Sequence, residues 1–189
     1  NNTLHTLIIS GGTIDTDFAL DLLKNEKYAH IIGVDGALKF CKEQNIVPTR
    51  IVGDFDTLDP EILTWYQTHT QIEIRQFNPV KDATDTQIAI ELAMELGSRK
   101  ITLIGGTGTR LDHVLGNIQT LYLPFAKGID CRIVDAHNRI RLVSGELHLK
   151  MTEQWGKYVS LIPFTTDVEG VDLIGFKYPL EKFSFTVLG

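Results

Sequence analysis

Hydrophobic and polar positions follow two rhythms along the chain, and the change falls near residue 137. Before it, short apolar runs alternate with stretches of helical spacing. Residues 4–9 read as an apolar strand running into Ser10-Gly11-Gly12, and residues 18–23 as a helix. Residues 31–34 form a second strand ending at Asp35-Gly36, with a helix from Ala37 to about Gln44. Ile51 and Val52 mark a third strand. A helix over 61–67 follows Asp59 as N-cap and Pro60 at the first helical position. Residues 72–74 read as a short fourth strand. Ile88, Leu92 and Leu96 line one helical face, with Ala89 and Ala93 beside them, and Gly97 is placed to end that helix. Residues 101–104 form a fifth strand broken by Gly105-Gly106. Leu111, Leu115, Ile118 and Tyr122 return to helical spacing, and residues 129–134 form a sixth strand.

Such alternation predicts a parallel sheet covered on both faces. After His137 helical spacing disappears, and residues 139–143, 146–151, 158–163, 171–175 and 183–187 read as short strands. The predicted fold class is therefore α/β plus all-β. A parallel-sheet domain over 1–137 is followed by a small β-sandwich domain over 138–189.

Composition narrows the function. The 189 residues are 43% hydrophobic and 22% charged, and the formal net charge is −6. This is an ordinary globular balance, with length for a substantial core. No basic stripe exists, so nucleic acid is not an expected partner, and bound anions must be handled by local groups. Cys41 and Cys131 stand far apart in apolar contexts and read as buried free thiols. No run of about 18 apolar residues exists, and the first residues do not read as a signal peptide, so neither a membrane partner nor export is expected. A cytoplasmic enzyme or binding protein is the expectation.

Three segments carry candidate chemistry. Gly53-Asp54-Phe55-Asp56 places two carboxylates just past the third strand. Turn formation alone accounts for such a pair. A shared cation would also relieve their repulsion, and hard carboxylate oxygens suit Mg²⁺. Asp82-Ala83-Thr84-Asp85 has the spacing of a capping box, which would hold Asp85 in a first helical turn, with the Thr84 hydroxyl beside it. Gly105-Gly106-Thr107-Gly108-Thr109-Arg110-Leu111-Asp112-His113 supplies amides, a helix N-terminus and the planar fork of Arg110 for phosphate oxygens. Asp112 reads either as a helix cap or as a substrate acceptor. His113 and Asn117 lie one turn apart on the same helix. Asp35 ends the second strand and is a candidate for the acidic cluster.

In this order and spacing, the segments Gly53 to Thr57, Asp82 to Asp85 and Gly105 to Asn117 resemble the thiamin pyrophosphokinase family, as does Gly175-Phe176-Lys177-Tyr178-Pro179-Leu180. The resemblance implies an α/β domain followed by a β-sandwich, and a homodimer with active sites between subunits. It implies ATP and thiamin as substrates, Mg²⁺ as cofactor, and transfer of a pyrophosphoryl group to the thiamin hydroxyl with release of AMP. It makes Asp54, Asp56 and Asp85 the metal-binding and catalytic acids, with Arg110 as the catalytic cation. Asp35, Thr84, Gly106, Gly108, Arg110, Asp112 and Asn117 would line the nucleotide or substrate site.

Two departures from the family pattern stand out. Thr57 replaces a serine and keeps its hydroxyl. The family's Ser-Asn-Glu segment, on the thiamin side, does not follow Leu180, which runs straight into Glu181-Lys182-Phe183. A mobile loop is therefore expected to be missing from this sequence between about Leu180 and Phe183, with another near Thr186-Val187. Two rival activities share parts of the pattern. A pyrophosphokinase for another hydroxymethyl heterocycle would use the same acids. A haloacid-dehalogenase-type phosphatase would use Asp54-Phe55-Asp56, although Leu58 stands where that motif wants Thr or Val.

Overall fold

A computed structural model describes residues 4–78, 83–108 and 110–188. The chain divides into two compact units, Asn1–His148 and Leu149–Gly189. The first unit carries a seven-stranded sheet in the order β4-β3-β2-β1-β5-β6-β7. Its strands are β1 (His5–Ile9), β2 (His30–Val34), β3 (Arg50–Gly53), β4 (Glu73–Gln76), β5 (Lys100–Ile104), β6 (Asp130–Val134) and β7 (Arg139–Ile140). All neighbours are parallel except β7, which pairs antiparallel with β6. The helices are α1 (Thr16–Asn25), α2 (Ala37–Glu43), α3 (Pro60–His69), α4 (Asp85–Glu95), α5 (Leu111–Thr120) and the single turn α6 (Tyr122–Phe125).

The central strands explain the covered sheet. Every residue of β1 is buried, and its side chains alternate between two cores. Ile8 joins Ile32, Val52, Ile101 and Leu103 against Ala89, Ile90 and Ala93 of α4. Leu7 and Ile9 join Ala19 of α1 and Ala37 and Cys41 of α2 on the other face. Leu38, Ile51, Ile62 and Tyr66 extend that packing to α3. Full burial of one such aliphatic side chain stabilises the fold by about 1.5–3 kcal/mol. Local signals set the helix ends: Asp59 accepts from the Glu61 amide at 2.9 Å before Pro60, and Gly97 takes φ +83° after α4. Cys41 and Cys131 are buried free thiols, and burial pushes each up to about 12.

One boundary differs from the sequence reading. Residues 139–140, expected to open the second domain, add an antiparallel edge strand to the first sheet. The first compact unit accordingly runs to His148. In the second unit, β8 (Asp167–Leu173) pairs antiparallel with β9 (Leu180–Thr186). Residues 146–151 and 158–163, expected as strands, form none. The all-β character is thus carried by one antiparallel pair. Residues 180–186 are one continuous strand, with Lys182 at φ +46° and its amide donating to Asp172 Oδ1 at 2.7 Å.

At the N-terminal end of β1, His5 is buried with Nε2 2.8 Å from Thr102 Oγ1 and Nδ1 3.2 Å from Glu26 Oε2. Burial, helped by Lys100, lowers its pKa to about 4, overcoming the opposite pull of Glu26. The unfolded chain therefore binds a proton that the folded chain refuses between pH 6.5 and about 4. This contribution is complete above pH 6.5 and is lost as pH falls through that window, amounting to about 3 kcal/mol. Denaturant unfolding of wild type and His5→Gln should converge as pH falls from 7 to 4. Parallel curves would remove His5 from the acid response.

Candidate active site

The chain winds from β1 outward through β2, β3 and β4, then returns across the sheet by α4 to place β5 on the other side of β1. The strand order reverses between β1 and β5, and open α/β sheets bind ligands beyond the carboxyl ends of their strands at such a point. Two glycine loops leave this crevice side by side. Ile9 and Ile104 are in register, and the Ser10 amide donates to Ile104 O at 2.9 Å.

The loop after β5 is held by its carbonyls. Gly105 O accepts from the Gly12 amide at 2.8 Å, Gly106 O from Asn117 Nδ2 at 3.0 Å, Thr107 O from the Thr13 amide at 3.2 Å and Gly108 O from Thr13 Oγ1 at 2.9 Å. None of the hydrogen bonds among the described residues uses the amides of Gly106, Thr107 or Gly108. Four carbonyls face protein and three successive amides remain available, which is the arrangement that receives anions. Thr109 lies outside the described residues.

Next to this loop lies an acidic cluster. Val34 and Val52 are in register on adjacent strands, so Asp35 and Asp54 emerge together beyond them. The turn is tight: Phe55 has φ +64°, and Asp54 Oδ1 accepts from the Asp56 amide at 3.1 Å. Asp85 is the first residue of α4, whose N-cap is Thr84, with Oγ1 accepting from the Gln87 amide at 3.2 Å. The capping box is therefore corrected by two residues: Thr84, not Asp82, caps the helix, and Asp82 lies outside the described residues. Asp35 is pushed up to about 6, first by burial and then by the charges of Asp85, Asp54 and Asp56. Burial and Asp54 likewise raise Asp85, against smaller opposing effects from Asp35 and His113. Four carboxylates thus act on one another at one place.

The donor set fits a hard divalent cation. Asp35 Oδ1 is buried with no hydrogen-bond partner among the described residues. Among the described residues, no group of three His, Cys, Asp or Glu side chains is placed to hold a metal ion by itself. The two observations agree for Mg²⁺, which is usually held by a few carboxylates and completed by water and substrate phosphates.

The remaining candidates take narrower places. Arg110 is the N-cap residue of α5 but makes no side-chain cap bond. Its Nε and Nη2 both donate to the Asp112 carboxylate, and both side chains are exposed. Asp112 is held below the usual carboxylate range chiefly by that contact, and it does not cap the helix. Asn117 secures the Gly106 carbonyl rather than presenting its amide to a ligand. Gly106 is buried and Gly108 exposed within the loop.

Sequence reading missed two parts of the site. One is the loop of Ser10, Gly11, Gly12 and Thr13, whose signal was a glycine pair directly after an apolar strand, matching the pair after β5. The other is Asp135, at the end of β6, whose Oδ2 accepts from Thr107 Oγ1 at 2.7 Å.

Comparison with known proteins identifies the family. Residues 19–133 match the model of the thiamin pyrophosphokinase catalytic domain, and residues 145–189 match the thiamin pyrophosphokinase vitamin B1 binding domain. A thiamine pyrophosphokinase of Bacillus subtilis (strain 168) is 35% identical over 162 residues, 82% of this chain and 72% of its own length. A Bacillus subtilis thiamine pyrophosphokinase crystal structure superposes with a TM-score of 0.84 at 31% identity, covering 98% of this chain and 86% of that one. A Geobacillus thermodenitrificans thiamin pyrophosphokinase structure gives a TM-score of 0.73 at 31% identity, with 97% and 83% covered. With both domain models matched in order and a relative of this identity spanning most of its length, the chain belongs to the thiamin pyrophosphokinase family.

Proposed function

We propose that the protein transfers the pyrophosphoryl group of ATP to the hydroxyl of thiamin, giving thiamin diphosphate and AMP. The observation that carries this reading is the pairing of a three-amide phosphate cradle with a cluster of four aspartates at one switch point. The thiamin oxygen bonds to the β-phosphorus, the bridge between the α- and β-phosphates breaks, AMP leaves, and the hydroxyl proton passes to the aspartate cluster. Such reactions depend mostly on positioning and charge neutralisation. The amides of Gly106, Thr107 and Gly108 orient phosphate oxygens, with the α5 N-terminus beside them. Asp54, Asp56 and Asp85 would hold Mg²⁺, with Asp35 next to them, and the ion supplies neutralisation of phosphate charge when bound. Thr84 lies on the same helix terminus as Asp85. Arg110 exchanges Asp112 for a phosphate, and Asp112 keeps the fork extended until then.

The rival phosphatase and the rival heterocycle pyrophosphokinase have lost their support, since the matched family is neither. The direct test supplies ATP, thiamin and Mg²⁺ and identifies the nucleotide product. AMP with thiamin diphosphate is expected, whereas ADP with thiamin monophosphate would defeat the assignment. Arg110→Lys keeps the charge and loses the planar fork. It should slow turnover by roughly 10²-fold. An effect on the ATP Michaelis constant alone would reduce Arg110 to a binding role.

A homodimer with active sites at the subunit interface also belongs to this reading. A two-stranded sheet is marginal by itself. In the second unit Tyr158, Ile162 and Ile174 are more than 80% exposed, at 91%, 82% and 88%. A partner surface over these side chains accounts for their retention. Sedimentation should give a dimer, and a fully active monomer would remove the interface from the site. A cytoplasmic location fits the same reading. No helix among the described residues is long and apolar enough to cross a membrane.

A further inference from the structure

Asp135, at the end of β6, is a heavily bonded carboxylate near the glycine loop. Oδ1 accepts from the His137 amide at 2.8 Å, the Asn138 amide at 2.6 Å and Asn138 Nδ2 at 3.1 Å. Oδ2 accepts from Thr107 Oγ1 at 2.7 Å and from Asn138 Nδ2 at 3.2 Å. The Asp135 amide in turn donates to Asn138 O at 2.9 Å. A carboxylate so fully engaged has little capacity left for a metal or a substrate hydroxyl. Its contact with Thr107 reaches the middle residue of the amide cradle, where the backbone carbonyls are already fixed by Gly12, Asn117 and Thr13.

We propose that Asp135 is a positioning residue that sets the phosphate cradle by holding the Thr107 hydroxyl. The carboxylate only accepts, so the Thr107 hydroxyl hydrogen is committed to it. That fixes the Thr107 rotamer and, with the Thr107 carbonyl on Thr13, the plane of the peptides on either side. The Gly106, Thr107 and Gly108 amides then point as one set. A small misplacement of such a set costs up to about 10²-fold in rate. This inference rests on the pyrophosphoryl-transfer reading above.

The test compares wild type with Thr107→Val, Thr107→Ser, Asp135→Asn and the Thr107→Val/Asp135→Asn double variant, each by steady-state AMP formation and thermal melting. Asp135→Asn keeps an acceptor for the His137 and Asn138 amides but places a donor opposite Thr107. Thr107→Val leaves the 135–138 turn intact. We expect kcat/KM for ATP to fall by about 10-fold or more in each of these two, with the ATP Michaelis constant raised and that for thiamin unchanged. The double variant should be no worse than the weaker single, and Thr107→Ser should restore activity. A merely structural role would lower the melting temperature and kcat together while leaving the ATP Michaelis constant unchanged, and would overturn the proposal. Additive losses, or a Thr107→Val enzyme with wild-type kinetics, would overturn it equally. Wild type that forms no AMP would instead defeat the pyrophosphoryl-transfer reading, a separate failure visible before any variant is made.

Discussion

Asp54→Asn, Asp56→Asn and Asp85→Asn each lower turnover by at least roughly 10²-fold while leaving the protein as stable as wild type or more so. The two halves of this expectation come from one arrangement. The acids sit close enough for Asp54 and Asp56 to act on Asp35, and for Asp54 to act on Asp85. In the ligand-free protein that proximity is repulsive. In the proposed reaction, with phosphates and a cation present, the same charges would hold the ion. Replacing one carboxylate with an amide removes repulsion from the folded state and a ligand from the working state. The sign follows from Asp35, whose folded pKa of about 6 lies above its ordinary 3.8. The stability linked to its protonation is complete below pH 3.8 and is lost as pH rises through 6. At pH 7 the cluster is therefore a stability cost, and Asp35→Asn recovers about 1–2 kcal/mol after allowance for its partial exposure. Turnover and melting temperature, measured on the same preparations, check both halves. Two of the three catalytic variants working near the normal rate in Mg²⁺ would refute the three-acid site. A large drop in melting temperature would show that the acids are structural.

Much of this site was legible because strand ends are legible. Short apolar runs ending in glycine or aspartate marked β1, β2, β3 and β5, and the residues just past them are the candidate functional ones. Asp54 and Asp56 needed only that pattern. Asp35 needed more: its place in the cluster depends on β2 lying beside β3 with Val34 opposite Val52, a long-range register that local spacing does not encode. The same limit hid the Ser10 to Thr13 loop, which matters only because β1 and β5 are neighbours despite being far apart in sequence. Asp135 was hidden for a different reason. Its neighbours His137 and Asn138 make it look like an ordinary turn aspartate, and the turn bonds are real. The contact with Thr107 distinguishes it. Alternation of Phe183 and Phe185 correctly marked a strand, while 146–151 and 158–163 had strand-like composition but no ladder partner among the described residues. Period-two spacing records which residues suit a sheet, and pairing decides whether one forms.

Gly105→Ala unfolds the crevice rather than merely slowing it. A methyl group built at Gly105 would lie 2.0 Å from Ser10 O and 2.9 Å from Ser10 C, and the residue has φ +71°. Both obstacles are backbone, so no side chain can swing aside. The neighbouring loop meets the same limit from its own side, since a methyl at Gly12 would lie 2.2 Å from Gly105 O. Relief requires β1 and β5 to separate at their ends. That would break the Ser10 amide bond to Ile104 O and the Gly12 amide bond to Gly105 O. Steric overlap and the left-handed backbone together cost about 3 kcal/mol or more. For a chain of this size that lowers the melting temperature by roughly 6–12 °C. Gly116→Ala is the matched control, because it lies within α5 and a methyl there meets nothing within 4 Å. It should be neutral or stabilising by up to about 1 kcal/mol, the helix-propensity difference between the two residues. Melting curves of the two variants decide the matter. If Gly105→Ala melts with wild type, the loops do not approach as closely as described, and the amide cradle loses its support. If Gly105→Ala falls and Gly116→Ala does not, the close approach of the two glycine loops is what holds the crevice together.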